Sequence, residues 1–145
     1  MLKSCKYCGR IHESAYICPP KKQAEAIRQK HRGDTMARAF RKSTRWTNKS
    51  IAIRERDHYM CLCCKAKLIG TVNEINTVDL SVHHIVPIEE DFELRLDESN
   101  LITVCAMHHE MCEANEISRE EQRRLVGQSM KERDEEGSTY GVLCV

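Results

Sequence analysis

Large apolar side chains are scarce in this chain. Aromatic residues make up only 5% of the 145 residues, with one Trp and two Phe, whereas charged residues make up 31%. A hydrophobic core built from so few large groups is thin, and small domains with thin cores usually need a disulfide, a metal ion or a partner. The composition predicts one small domain with appendages, stabilised by more than its core.

Two kinds of segment are also missing. The N-terminal sequence MLKSCKYCGR has no apolar stretch of the signal-peptide type, and no run approaches the roughly 18 apolar residues of a membrane span. We therefore expect a cytoplasmic protein with no membrane partner. In a reducing cytosol, paired cysteines hold metal more often than they form disulfides. The odd number of cysteines, nine, also argues against complete disulfide pairing.

The net charge of +1 hides an uneven distribution. Residues 19–54 carry eleven basic and two acidic side chains, whereas residues 55–145 carry nine basic and nineteen acidic ones. A basic arm on an acidic body predicts a polyanionic partner, and contact with DNA phosphates is the simplest explanation. The alternative is a solvated linker. The predicted DNA contacts in the arm are Arg38, Arg41, Lys42 and Arg45.

The chain divides into four predicted segments: a zinc knuckle at 1–18, a basic linker at 19–45, a compact core at 46–117, and a C-terminal helix and tail at 118–145. Pro19-Pro20 ends the knuckle because consecutive prolines interrupt regular hydrogen-bonded structure. Gly33-Asp34 is expected to break the linker, which is predicted to be partly helical or disordered until it meets DNA.

Hydrophobic patterning in the core predicts the order strand, loop, strand, helix. Residues 79–83 alternate between polar and apolar, as a half-buried strand does. Residues 101–104 form a second short β-prone run, and an acidic loop at 89–100 separates the two. The run at 107–113 suits a helix.

Capping residues place two flanking helices. Thr47 or Asn48 is expected to cap a helix that runs to about Arg56. Ser118 and Glu121 form a capping box that begins the last helix. That helix carries two apolar residues on one side, Leu125 and Val126.

Two short pairs have the spacing of a structural zinc site. A Cys-x-x-Cys and a distant Cys-x-x-His together supply the four ligands of a tetrahedral ion. Zinc would also stabilise so small a core, because metal binding adds directly to the folding free energy. The alternative is buried free cysteines, which are common, and Cys63 is an alternative ligand. The predicted ligands are Cys61, Cys64, Cys105 and His108.

A second cluster near the N-terminus has the spacing of a zinc knuckle. Gly9 relieves the tight turn that such a knuckle makes. The alternative is a disordered tail, and the role of the knuckle is DNA contact, protein contact or stability. Cys112 and Cys144 have no obvious partners. The predicted knuckle ligands are Cys5, Cys8, His12 and Cys18.

The pair His83-His84 lies at the end of the first predicted strand. Adjacent side chains of a strand point to opposite sides, so one imidazole is free to bind a metal while the other addresses the substrate. Asn100 opens the second strand. His109 lies in the following helix, directly after the predicted zinc ligand His108.

Three strings, VHHIVP at 82–87, ESNLI at 98–102 and CAMHH at 105–109, together resemble the HNH endonuclease family, especially its small zinc-containing members from phages and prophages. The run RERDHYMC at 54–61 resembles the lead-in to the first zinc pair of that family. The resemblance covers about residues 46–117. It implies a small α+β fold built on a ββα-metal (His-Me finger) hairpin. With the zinc sites predicted from the cysteine spacing, the expected fold is this hairpin stapled by a structural zinc, with an N-terminal zinc knuckle and helical flanks.

The resemblance also implies roles. His84 is expected to be the general base, since a neutral imidazole suits that task at pH 7. His83 and His109 are expected to hold one catalytic divalent ion. Asn100 is expected to hydrogen-bond loop backbone and keep His84 aimed. The expected reaction is hydrolysis of DNA phosphodiester bonds to 5′-phosphate and 3′-hydroxyl ends.

This chain departs from the commonest family pattern in two places. Many relatives have Asp where His83 stands, and His favours borderline ions more than a carboxylate does. Magnesium or manganese is expected, with nickel or zinc as alternatives. His108 stands where many relatives have Cys, and it remains a valid zinc ligand. Glu113, one helical turn after His109, either reaches the same ion or is solvated.

DNA is the expected partner, in the cytoplasm of a bacterial host. The resemblance implies a phage or prophage enzyme that acts beside the genome-packaging motor, with terminase or other packaging proteins as partners. The alternative function is a non-catalytic, zinc-stapled nucleic-acid-binding module. A weaker alternative is an assembly factor whose knuckle and acidic loop are protein-binding surfaces.

Overall fold

The structure, a computed structural model, describes residues 1–140. The chain forms two compact units, one over Met1–Ala39 and one that begins at Phe40. Cys144, for which the sequence offers no partner, lies outside the described residues. Within residues 1–140, no helix combines the length and apolar composition that a membrane crossing needs.

The first unit begins with a small hairpin. Strands β1 (Leu2–Ser4) and β2 (Ile11–Glu13) are antiparallel. The turn between them contains Gly9, whose φ of +71° is a conformation that glycine adopts without a Cβ clash. The Cys-x-x-Cys of the predicted knuckle therefore lies in a tight turn, as its sequence indicates.

Helix α1 (Pro19–Arg41) follows the hairpin. Two prolines begin it, which is favourable because the first residues of a helix have no partner for their N–H groups. The helix runs unbroken through Gly33-Asp34, so the predicted break there is wrong. One glycine costs a helix only about 1 kcal/mol relative to alanine, which a 23-residue helix tolerates.

The second unit is a small α+β fold around an antiparallel hairpin, and the predicted order of strand, loop, strand and helix is confirmed. The loop contains two 3-10 turns, Phe92–Leu96 and Glu98–Asn100. Each strand differs from its predicted range by one residue. The elements are α2 (Thr44–Arg56), α3 (Leu62–Lys65), β3 (Leu80–His84), β4 (Leu101–Cys105), α4 (Ala106–Glu113) and α5 (Arg119–Tyr140).

Side-chain caps begin both flanking helices. The hydroxyl of Ser43 accepts a hydrogen bond from the Trp46 amide at 3.2 Å, so α2 begins earlier than Thr47 or Asn48 predicts. At α5, the Glu121 amide donates to the Ser118 hydroxyl at 3.1 Å, as predicted. The Glu121 carboxylate binds Arg124 at 2.9 Å, so it does not close the capping box.

The core lies against β4, in which every residue is buried. β3 pairs with β4 so that His84 faces Leu101 across the hairpin. Leu125 and Val126 of α5 belong to the same buried cluster as Ile102 of β4, as their predicted common side indicates. The last helix is therefore part of the compact unit that carries the hairpin.

A buried ion pair ties four elements together. The Arg56 guanidinium donates to both carboxylate oxygens of Asp57, at 2.7 and 2.9 Å, and to the carbonyl oxygens of Glu98 and Leu101. Asp57 also accepts from the Thr103 amide at 3.0 Å and from the Ser129 hydroxyl at 2.7 Å. This network fixes the end of α2 against β4 and α5.

Replacing Asp57 with alanine is expected to lower the free energy of unfolding by about 3–5 kcal/mol, because it leaves the buried Arg56 charge unpaired. Urea unfolding measures the change. The matched control is Asp134→Ala, which removes the carboxylate of another adjacent Arg-Asp pair, with Arg133, whose side chains are exposed. Little change is expected there. Equal losses in both variants would contradict the assigned role of Asp57.

Candidate active site

A cleft of about 710 Å³ opens beside the hairpin of the second unit. β3, α4 and the start of α5 supply most of its walls, and the predicted catalytic histidines lie in it. The polar and aromatic residues that line it include Arg41, Trp46, His83, His84, Glu89, His109, Glu113 and Arg119.

Two of the predicted metal ligands meet in this cleft. The ring centroids of His83 on β3 and His109 on α4 are 5.0 Å apart, with an interplanar angle of 87°. Glu113 follows His109 by one helical turn, and its Oε1 lies 3.7 Å from His109 Nε2. One ligand atom from each of the three lies within 4.8 Å of the others. We call this group the cleft cluster.

The donor atoms and protonation of the cleft cluster suit a bound cation. Burial, reinforced by the nearby His109, lowers the pKa of His83 to about 4. The His83 ring is therefore neutral at pH 7, with a lone pair available to a metal. Two imidazoles and one carboxylate form a donor set common to divalent metal sites.

His84 lies on the other side of β3 from His83. Its Nε2 lies 3.1 Å from the carbonyl oxygen of Arg95. A carbonyl only accepts, so Nε2 carries the proton and Nδ1 carries the lone pair. Burial lowers the pKa of His84, partly opposed by that hydrogen bond. The ring is thus a neutral imidazole whose unprotonated nitrogen is Nδ1.

Aromatic rings surround His84. The Trp46 indole stacks on the imidazole, with centroids 4.6 Å apart and planes at 29°. Phe40 contacts it edge-on at 6.4 Å and also contacts Phe92 at 6.2 Å. The Arg95 guanidinium lies 4.1 Å from the Phe92 centroid. No local pattern links residues 40 and 46 to residue 84, so these rings were not predictable from the sequence.

Asn100 joins the end of β3 to the loop that carries Arg95. Its Oδ1 accepts from the Val86 amide at 2.7 Å. Its Nδ2 donates to the carbonyl oxygens of Val86 at 3.1 Å and Leu94 at 3.3 Å. These are hydrogen bonds to loop backbone of the kind that the family resemblance implies for Asn100, and they hold the loop that carries Arg95.

A second group, which we call the core cluster, contains Cys61, Cys64, Cys105 and His108. His108 Nδ1 lies 3.4, 3.4 and 3.3 Å from the three sulfurs in that order, and Cys64 Sγ lies 3.9 Å from Cys105 Sγ. His108 Nε2 donates to the Ile69 carbonyl at 3.0 Å, which leaves Nδ1 unprotonated toward the thiols.

A third group, the N-terminal cluster, lies in the first unit. Cys5 Sγ and Cys18 Sγ are 3.7 Å apart. His12 Nδ1 donates to the Glu13 carbonyl at 3.1 Å, and His12 Nε2 is buried without a hydrogen-bond partner among the described residues. Backbone amides of Cys8 and Tyr7 lower the pKa of Cys5 to about 6. All four predicted knuckle residues lie in this cluster.

Other predicted residues take different positions. Cys63 lies outside the core cluster, and its hydrogen bond with Cys112 raises the pKa of the Cys63 thiol. Cys112 therefore has a partner that its sequence position did not suggest. Among the predicted DNA contacts only Arg41 lines the cleft, Lys42 and Arg45 are exposed outside its lining, and Arg38 belongs to the first unit.

Comparison with known proteins agrees with this geometry. A family model described as HNH endonuclease matches residues 61–113, which include the core and cleft clusters. No curated protein matches the chain. Among solved structures, the HNH endonuclease of the deep-sea thermophilic bacteriophage GVE2, determined with a manganese ion, is 32% identical with a TM-score of 0.53. The match covers 62% of this chain and 91% of that one. The chain therefore belongs to the HNH endonuclease family and is a nuclease.

Proposed function

We propose that the protein is a metal-dependent DNA endonuclease that hydrolyses phosphodiester bonds, with His84 as general base and one divalent ion held by His83, His109 and Glu113. The arrangement on β3 carries the proposal. His83 lies with His109 and the Glu113 carboxylate. The adjacent His84, on the opposite side of the strand, has an unprotonated Nδ1. A metal ligand and a base are thereby presented to the same cleft.

The cleft cluster fits a divalent ion because its two imidazoles and one carboxylate converge within 4.8 Å. When bound, such an ion stabilises negative charge on the phosphate and on the leaving 3′ oxygen. The two imidazoles suit nickel or zinc better than magnesium, and the carboxylate also suits manganese. The manganese ion in the matched phage enzyme supports manganese here.

The protein groups account for the proton transfer. His84 Nδ1 takes a proton from water as the water oxygen bonds to phosphorus, and the bond from phosphorus to the 3′ oxygen breaks. The 3′ oxygen then takes a proton from solvent, which leaves 5′-phosphate and 3′-hydroxyl ends. The Arg95 carbonyl stabilises the imidazolium through its hydrogen bond with Nε2, and Asn100 fixes the loop that carries it.

We further propose that the core cluster holds a structural zinc. Bond lengths of about 2.3 Å to sulfur and about 2.0 Å to nitrogen give a tetrahedron with S···S edges of about 3.8 Å and S···N edges of about 3.5 Å. The S···S distance of 3.9 Å and S···N distances of 3.3 to 3.4 Å agree with those edges. The tautomer of His108 also directs a lone pair toward the thiols.

The N-terminal cluster is proposed as a second zinc site. Its support is the buried Nε2 of His12, which has no hydrogen-bond partner among the described residues and lies with three thiols. A metal ion would remove the cost of burying that unpaired nitrogen. Two zinc ions per chain are therefore expected.

Cleavage of supercoiled plasmid tests the proposed reaction. Purified protein is assayed with added magnesium, manganese, nickel or zinc, and nicked or linear product is measured over time. We expect no cleavage without a divalent ion and the highest rate with manganese. Ligation of the products without phosphatase or kinase treatment checks for 5′-phosphate and 3′-hydroxyl ends. A folded protein that cuts with none of the four ions would refute the proposal.

Trp46 is expected to act as a positioning residue for His84. Trp46→Ala removes the stacked ring and is expected to lower kcat about 10- to 100-fold, with KM little changed, because the base loses its orientation. Trp46→Phe keeps an aromatic face and is expected to restore most of the rate. Steady-state cleavage of a duplex oligonucleotide measures both constants. A KM effect alone, or no rescue by phenylalanine, would contradict this role.

A phage or prophage origin is also proposed, supported by the phage source of the matched enzyme. Action beside a packaging motor, with terminase or other packaging proteins as partners, stays a prediction from the family resemblance. So does location in the cytoplasm of a bacterial host. DNA is the partner that the family membership supports.

A further inference from the structure

We propose that Arg41 and Arg119 bind backbone phosphates of the DNA on either side of the scissile phosphate. In the absence of DNA, Glu89 and Glu90 form ion pairs with these two arginines, and DNA phosphates displace them. The inference rests on the proposed function, because it concerns the same cleft. Arg119 lies outside residues 61–113, which match the family model.

The contact of Arg119 has the geometry of phosphate recognition. Its Nη1 and Nη2 donate to the two carboxylate oxygens of Glu90 at 2.9 and 2.7 Å. This two-pronged contact uses the planar fork with which arginine also binds two phosphate oxygens. Glu90 therefore presents a carboxylate where a phosphate would fit.

Arg41, which also lines the cleft, makes a single hydrogen bond with the adjacent glutamate. Its Nη2 donates to Glu89 Oε1 at 2.8 Å. Two adjacent glutamates thus bind two arginines that come from the end of α1 and the start of α5. A phosphodiester chain also presents negative groups in succession, so the two glutamates imitate a short stretch of backbone.

Both arginines line the cleft that contains the reacting groups. Arg41 directly follows Phe40, whose ring centroid lies 6.4 Å from that of His84, so Arg41 lies toward the base. Arg119 begins the helix that follows α4, and α4 carries the predicted metal ligand His109.

The stability of α5 does not explain a cation at position 119. Arg119 is the first residue of α5, where the helix dipole favours negative charge. Glu120 and Glu121 in the same turn have the favourable sign, and Arg119 has the unfavourable one. A role in binding an anion gives this residue a reason to be there.

The glutamates are also easily displaced. Both ion pairs are partly exposed, with side-chain exposures of 36% and 54% for Arg119 and Glu90 and of 49% and 37% for Arg41 and Glu89. Ion pairs of this kind contribute little in water. Phosphate binding is additionally favoured by release of counterions from the DNA, so exchange of carboxylate for phosphate is favourable.

Fluorescence anisotropy with a labelled 20-base-pair duplex tests the inference, without added divalent ion so that binding is measured apart from cleavage. Arg119→Ala is expected to weaken binding about tenfold and to reduce the salt slope by about one. Glu90→Gln is expected to tighten binding several-fold, since the competing charge is gone. The matched controls are Arg124→Ala and Glu121→Gln, which alter a similar ion pair on α5 outside the cleft lining.

Two outcomes would overturn the inference. If Arg119→Ala and Arg124→Ala bind the duplex equally well, Arg119 does not bind a phosphate. If Glu90→Gln binds DNA no more tightly than Glu121→Gln, Glu90 does not compete with DNA for Arg119. Thermal melting checks the fold. Arg119→Lys keeps the charge without the fork and is expected to bind between wild type and Arg119→Ala. If the variants differ in binding as expected but wild-type protein does not cut DNA, the proposed function is wrong and the phosphate contacts still stand.

Discussion

Alanine in place of His84 is expected to reduce the cleavage rate by about 10²- to 10⁴-fold, the range that general-base catalysis contributes. The hydrogen bond from Nε2 to the Arg95 carbonyl leaves Nδ1 of this neutral imidazole unprotonated. Without the imidazole, the attacking water has no positioned acceptor for its proton. Single-turnover cleavage at saturating manganese measures the loss, because product release then does not limit the rate.

A matched control and a rescue separate chemistry from folding. His58→Ala removes an exposed imidazole that lies near Glu136, away from the cleft lining, and is expected to cut at the wild-type rate. Added imidazole is expected to restore part of the activity of His84→Ala, because the substitution leaves a space beside Trp46. Loss of less than tenfold, or equal losses in the two variants, would mean that His84 is not the base.

Substitution of Cys64 with serine is expected to unfold the second unit. The core cluster joins α3 to the end of β4 and the start of α4, and structural zinc in small domains contributes roughly 10–16 kcal/mol of apparent binding free energy at pH 7. A thin core is not expected to withstand that loss. Zinc content by mass spectrometry and helical signal by circular dichroism should fall together.

The adjacent cysteine is the control for this substitution. Cys63 is equally buried but lies outside the core cluster, so Cys63→Ser is expected to keep two zinc ions and the fold. Cys8→Ser is expected to remove one zinc ion while cleavage by the second unit persists. A Cys64→Ser protein with the zinc content and melting temperature of wild type would rule out the structural zinc.

The parts of the site that were predictable lie within short stretches of sequence. His83 and His84 alternate on one strand, and Cys105, His108 and His109 share the start of one helix. Their relative positions follow from the repeat of a strand or helix. The pairing of β3 with β4 then brings the two stretches together.

The missed parts depend on contacts between distant segments. Trp46 reaches His84 only after α2 packs on the hairpin. Arg and Asp side chains are rarely buried, so nothing local in the sequence indicates that Arg56 and Asp57 are only 4% and 1% exposed. Arg119 lies in the first turn of the predicted last helix, and nothing near it in sequence indicates the cleft.

The adjacency of His108 and His109 constrains how this chain can vary. Successive residues of a helix are turned by about 100°, so one imidazole points inward to the thiols and the next points outward to the cleft. The buried ligand thereby sets the rotational phase of its neighbour. An insertion or deletion of one residue between Cys105 and His109 would change the direction of both rings at once. We therefore expect length changes in this stretch to abolish cleavage even where side-chain substitutions are tolerated.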